Sequence, residues 1–234
     1  MFGLETNNES SGLSNAAIKI KNAMVFESAG KYESALMAIE EALQLQENYV
    51  DAWLMKGVIL GKLGRSNEAL KCHAKVIELN PNCADAWRLR GAIYCTMNLH
   101  AKAIDCFIKA VEIDPNDVEI RLNLAASFQK IEKFEDALKC YEELLKQKPD
   151  NAQIHHLIGI TLGNKGDCEK ALDSFERALK LQPDFTNALI GKGVILSKLG
   201  RTNEAKLCVE KALEMKAESE KEKSADSNSE NDSI

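Results

Sequence analysis

Apolar residues return along this chain with a period of 34 residues, and within each period they fall into two clusters. Counted from residue 16, positions 4, 8 and 11 form the first cluster and positions 20, 24, 27 and 28 the second. Steps of three and four mark one face of an α-helix, so each period predicts two amphipathic helices. Position 8 is Gly or Ala throughout (Ala23, Gly57, Gly91, Ala125, Gly159, Gly193), as two closely approaching helix backbones require. Position 11 is always large (Phe26, Leu60, Tyr94, Phe128, Leu162, Leu196), and position 20 is always alanine, from Ala35 to Ala205. Position 24 carries Ile39, Phe107, Tyr141, Phe175 and Val209, with His73 as its one polar occupant.

Turn residues punctuate the same period. Leu63-Gly64-Arg65, Lys165-Gly166-Asp167 and Leu199-Gly200-Arg201 lie between the two clusters, where glycine can end the first helix in a left-handed conformation. All four prolines, Pro81, Pro115, Pro149 and Pro183, stand at position 32. There the missing backbone donor suits the turn before a helix or its first residue. Six blocks follow without insertion: 16–49, 50–83, 84–117, 118–151, 152–185 and 186–219. The expected organisation is a polar segment over 1–14, a repeat domain over 15–219 and an acidic, disordered tail over 220–234.

These residues resemble the tetratricopeptide repeat, whose 34-residue unit reads W-x2-L-G-x2-Y, then A-x3-F, then P. Block 84–117 matches best, through Trp87, Gly91, Tyr94, Ala103, Phe107, Ala110 and Pro115. The variant Trp53-Lys56-Gly57 and Trp87-Arg90-Gly91 is similar to arrays common in prokaryotes, archaea in particular. The resemblance implies an all-α fold: a right-handed superhelical α-solenoid of six helix-turn-helix units, whose first helices line a concave groove. It also implies a protein-binding role rather than chemistry.

Groove positions 2, 5, 6, 9, 12 and 13, carried over from the family, give Leu54, Met55, Val58 and Lys62 in the second block and Arg88, Leu89 and Ala92 in the third. The fourth block contributes Leu122, Asn123, Ala126 and Lys130, the fifth His156, Leu157 and Ile160, and the sixth Ile190 and Val194. This mostly apolar surface would suit an amphipathic helix or extended apolar segment of a protein partner. The clamp by which one subgroup holds carboxylate-ended chaperone tails is not expected. Its five positions here read Ile20, Met24, Met55, Asp85 and Leu89, none of them a match.

Composition removes other classes. With 45% hydrophobic and 28% charged residues the chain reads as a globular protein, and no apolar run is long enough to span a membrane. The net charge of -6 resides in the two ends, because residues 15–216 balance 28 acids against 28 bases. A neutral body offers no footprint for nucleic acid. Seven cysteines with no export signal predict reduced thiols and a cytoplasmic location. Cys72, Cys106, Cys140 and Cys208 recur at position 23, spaced too widely for one zinc ion, and no C-x2-C pair occurs, so no metal is expected. The glycine clusters fall on helical positions with no preceding strand and match no nucleotide-binding loop. No cofactor and no enzymatic activity are expected. The alternative role is a self-associating scaffold, a homodimer through the sixth block, where Leu207, Val209, Leu213 and Met215 remain apolar.

Overall fold

The computed structural model describes the backbone of residues 6–231 and the side chains of residues 15–218. Among the described residues it holds twelve α-helices and no strand. The first six are α1 (Thr6–Ser28), α2 (Tyr32–Leu45), α3 (Val50–Lys62), α4 (Ser66–Leu79), α5 (Ala84–Thr96) and α6 (His100–Ile113). The rest are α7 (Val118–Lys130), α8 (Phe134–Gln147), α9 (Ala152–Lys165), α10 (Cys168–Leu181), α11 (Thr186–Lys198) and α12 (Thr202–Asn231). From α2 on, every helix begins 34 residues before the helix two places later. The fold is thus the all-α array of helix-turn-helix units that the sequence pattern predicts. The side chains of the polar 1–14 segment and of the acidic 220–234 tail lie outside the described residues, and helical backbone runs through α12 to Asn231.

The turn inside each unit uses one device six times over. Residue 15 of the repeat is left-handed at Gly30, Gly64, Gly166 and Gly200, with φ from 71 to 99°, and also at Asn98 and Glu132, both at φ 59°. The next residue's amide then reaches back five residues to close the helix end, from Lys31 N to Phe26 O at 2.8 Å through Arg201 N to Leu196 O at 2.9 Å. Glycine adopts this conformation without strain, whereas Glu132 holds it against its own Cβ.

Between units a second device recurs. The side chain at position 4 donates to the carbonyl six residues earlier. Trp53 Nε1 bonds Glu47 O at 2.7 Å, Trp87 Nε1 bonds Pro81 O at 3.1 Å, and Arg121 Nη2 bonds Pro115 O at 2.7 Å. His155 Nε2 lies 3.2 Å from Pro149 O, and because a carbonyl only accepts, the bond takes the Nε2–H tautomer. Position 4 therefore selects an N–H donor as well as bulk. Leu189, its occupant in the sixth repeat, has no such donor and is buried.

The contacts divide the chain into two compact units, one ending at Ser127 and the other beginning at Phe128. In the first, Ile20, Leu36, Ile39, Ile59 and Leu60 form a core that Phe26, Tyr32 and Trp53 flank. In the second, Leu162, Leu172, Phe175, Ile195 and Leu196 do the same, flanked by Phe185 and Leu199. Each core depends on bare glycines. A Cβ on Gly91 would come within 2.7 Å of the Phe107 ring, one on Gly159 within 2.9 Å of Phe175, and one on Gly57 within 2.4 Å of His73. The position-24 ring thus lies directly over position 8 of its own unit, so small and large residues are matched as a pair.

Candidate functional site

In the first unit, α1 and α3 enclose an open cavity of about 470 Å³. Its floor is apolar: Ile20 and Met24 from α1, Leu54, Met55 and Val58 from α3, and Tyr49 from the connecting turn. Lys21, Glu27 and Asp51 supply charge along the lining. Met24 stays 51% exposed although it borders this cavity, so an unbranched, adaptable side chain is on offer to a partner. Helical periodicity explains the grouping. Ala17, Ile20, Lys21, Met24 and Glu27 occupy positions 2, 5, 6, 9 and 12 of the first repeat, and Asp51, Leu54, Met55 and Val58 occupy 2, 5, 6 and 9 of the second. Of the groove residues expected from sequence, Leu54, Met55 and Val58 meet here. The α1 contribution lay in a block that the sequence-based groove did not include, though the same positions would have found it.

Two of the three cations expected at the groove, Lys62 and Arg88, are already engaged. Lys62 Nζ stands 2.5 Å from Glu27 Oε1 and 5.8 Å from the centre of the Tyr32 ring, and the hydrogen bond to Glu27 holds its pKa above the ordinary lysine value. Arg88, only 20% exposed at its side chain, bonds Glu119 at 2.6 Å and Asp85 at 3.1 Å. Its charge is neutralised between neighbouring helices rather than held out to an anion. Leu89, Ala92, Leu122 and Asn123 are half-buried, and Ala126 is exposed.

In the second unit the expected residues are more dispersed in character. His156 is buried, with its ring 5.6 Å from Phe175 and 4.9 Å from Phe185, so it serves as a core aromatic and not as a polar groove contact. Burial lowers its pKa. Leu157 and Ile160 are half-buried, whereas Lys130, Ile190 and Val194 are exposed. Of the sixth-block residues, Leu207, Val209 and Leu213 are exposed and Met215 is half-buried.

Two of the buried thiols are quiet. Burial pushes the Cys72 and Cys106 thiols up to about 11, which keeps them protonated and poorly nucleophilic at neutral pH. Among the described residues no group of three or more His, Cys, Asp or Glu side chains could hold a metal ion. Among the same residues no helix is long and apolar enough to cross a membrane.

Three family models match the chain. One described as the cytochrome c-type biogenesis protein H TPR domain matches residues 77–187, and two tetratricopeptide-repeat models match 27–93 and 186–219. No curated protein matches the chain. Among solved structures, MamA from Desulfovibrio magneticus RS-1 is 20% identical, with a TM-score of 0.66, 73% of this chain covered and 97% of that one. YrrB, described as a TPR protein with an unusual peptide-binding site, is 20% identical with a TM-score of 0.62, covering 76% of this chain and 92% of its own. PilW, described as a widely conserved type IV pilus biogenesis factor, is 22% identical with a TM-score of 0.68, covering 82% of this chain and 90% of its own. At these identities the likeness is one of fold.

Proposed function

The chain belongs to the tetratricopeptide-repeat family, and from that premise we propose that it is a non-catalytic adaptor that binds a helix or extended segment of a partner protein. The binding face is the one its first helices present, and α1 and α3 form a pocket on it. The observation that carries this reading is the cavity between them, where Ile20, Met24, Leu54, Met55 and Val58 face open space with Lys21, Glu27 and Asp51 beside them. Such a lining fits an apolar side chain with mixed charge nearby, and methionines let it accommodate more than one shape. Lys62 and Arg88 are held by Glu27, Asp85 and Glu119, so neither is free to clamp a carboxylate tail. YrrB, with a like fold, is described as having a peptide-binding site, which agrees with a role of this kind.

A photo-crosslinking side chain placed at Met24 or Met55 tests the proposal. Met37 on α2, 65% exposed, provides a control outside the cavity. Exposure of each labelled protein to a native lysate should give partner adducts from Met24 and Met55 and few from Met37. Val58→Glu should abolish those adducts while leaving the helical circular dichroism unchanged. Equal labelling from all three positions, or adducts that survive Val58→Glu, would refute the pocket.

A further inference from the structure

The two ends of the array expose the halves of one interface. Within the array, position 24 of a second helix is sealed: Ile39, His73, Phe107, Tyr141 and Phe175 are all 0–2% exposed. Val209, the sixth occupant of that position, is 46% exposed, and Leu213 at position 28 beside it is 61% exposed. Position 3 of a first helix is sealed in the same way, with Ala52, Ala86, Ile120, Ile154 and Ala188 at 0–3%. Ile18, the first occupant of that position, is 52% exposed, and Val25 at position 10 is 65% exposed. Val209 and Leu213 thus lie bare where every earlier repeat carries its successor. Ile18 and Val25 lie bare where every later repeat meets its predecessor.

We propose that a second copy of this chain covers these faces head to tail, with α12 of one molecule seated on α1 of the next in the register of an internal junction. The internal template is visible between α10 and α11. There Leu172, Phe175 and Leu179 belong to one apolar cluster with Ala188 and Ile195. An ion pair at its edge joins position 25 to position 7, as Glu176 to Lys192 at 2.8 Å and, in the first unit, Glu40 to Lys56 at 2.9 Å. Transferred to the ends, the template sets Val209 and Leu213 against Ile18 and Val25. It also sets the Glu210 carboxylate against the Asn22 amide, a donor that can replace the lysine. One element works against tight association. Position 21 is apolar in the first five repeats and is Lys206 in the sixth, so an ammonium must find its way to the rim while its stem lies on apolar surface. The contact is therefore reversible. It is also heterologous, using two different surfaces, so nothing in it stops growth at a dimer.

Sedimentation velocity on the full chain, from micromolar concentrations up to about 1 mM, the weak end of specific association, tests this. The wild type should grow in mass with concentration and pass beyond the dimer. Val25→Glu and Leu213→Glu, both at exposed positions, should each be folded and monomeric alone, yet a mixture of the two should form a one-to-one dimer through the one intact face of each. Lys206→Leu, which restores the residue found at Leu36, Leu70, Leu138 and Leu172, should tighten association several-fold. A wild type that stays monomeric throughout overturns the proposal. So does a Val25→Glu protein that still dimerises, because pairing would then run symmetrically through α12. A mixture of the two variants that stays monomeric overturns it as well.

Discussion

The second and fifth repeats solve the same packing problem with different chemistry. In the fifth, Phe175 lies over Gly159 and beside Gly191, with its ring 2% exposed and no polar atom to satisfy. In the second, His73 fills the equivalent place over Gly57 at 1% exposure, and neither of its ring nitrogens has a hydrogen-bond partner. The Arg90 guanidinium lies near enough to disfavour the charged ring further. Shape is thus conserved between the two places and polarity is not. What the array demands at position 24 is a flat side chain of the right volume, and a buried imidazole can meet that demand at a cost in stability.

The largest test of the comparison removes the ring. Phe175→Ala should lose about 4 kcal/mol locally, through lost burial and the cavity left over two glycines. Hydrogen exchange, which resolves individual repeats, should show protection falling in α10 and α11 while α3 and α4 change little. Next comes acid. Burial holds the His73 pKa down to about 4, against 6.5 for an unburied ring. Between those values an unfolded chain takes up a proton that the folded one refuses, so stability falls as pH drops through that window and is restored above it. The full difference is about 3 kcal/mol. His156 is also lowered by burial, so the effect of His73 is read as the difference between wild type and His73→Phe in denaturant unfolding at pH 4 and pH 7.5.

His73→Phe itself should sharpen the comparison at neutral pH with a gain of about 1 kcal/mol, since it removes two unsatisfied nitrogens and keeps the shape. A loss instead would mean that the second repeat has a cavity suited to imidazole and not to a phenyl ring. The smallest effect concerns position 23, where Cys72 in the second repeat corresponds to Ser174 in the fifth. The Ser174 hydroxyl bonds back to Lys170 O at 2.9 Å, so Ser174→Cys should shift stability by no more than about 0.5 kcal/mol.

Much of this was legible in the residues. The period of 34 places the start of each helix, and Gly64, Gly166 and Gly200 announce left-handed helix ends that the backbone adopts. The same ends at Asn98 and Glu132 were not legible, because a surrounding turn can hold a residue in a conformation that its own preferences oppose. Position 4 counts as apolar in the 34-residue pattern through Trp53 and Trp87, and Arg121 and His155 occupy the same place. All four share an N–H within reach of the preceding turn, a property that hydrophobic patterning does not register. For the candidate site, positions 5, 6 and 9 led to Leu54, Met55 and Val58. Ile20 and Met24 follow the same rule in the first repeat, which lacks tryptophan and proline and so was less conspicuous. Arg88 and His156 went the other way. Their positions point to the groove, but ion pairs hold the Arg88 guanidinium and aromatic rings enclose the His156 imidazole, and those partners become apparent only when neighbouring helices are in place.

The side-chain bond from position 4 to the preceding turn has a mechanical consequence. Each such bond fastens one repeat to the connection that delivers it, much as a stitch fastens a fold of cloth, and four successive connections carry it. The fifth, from Pro183 to Leu189, has no donor to make the stitch. A chain drawn out by force from its carboxyl end would therefore release α11 and α12 first, and the seams that follow would each have to be cut before the next repeat could yield.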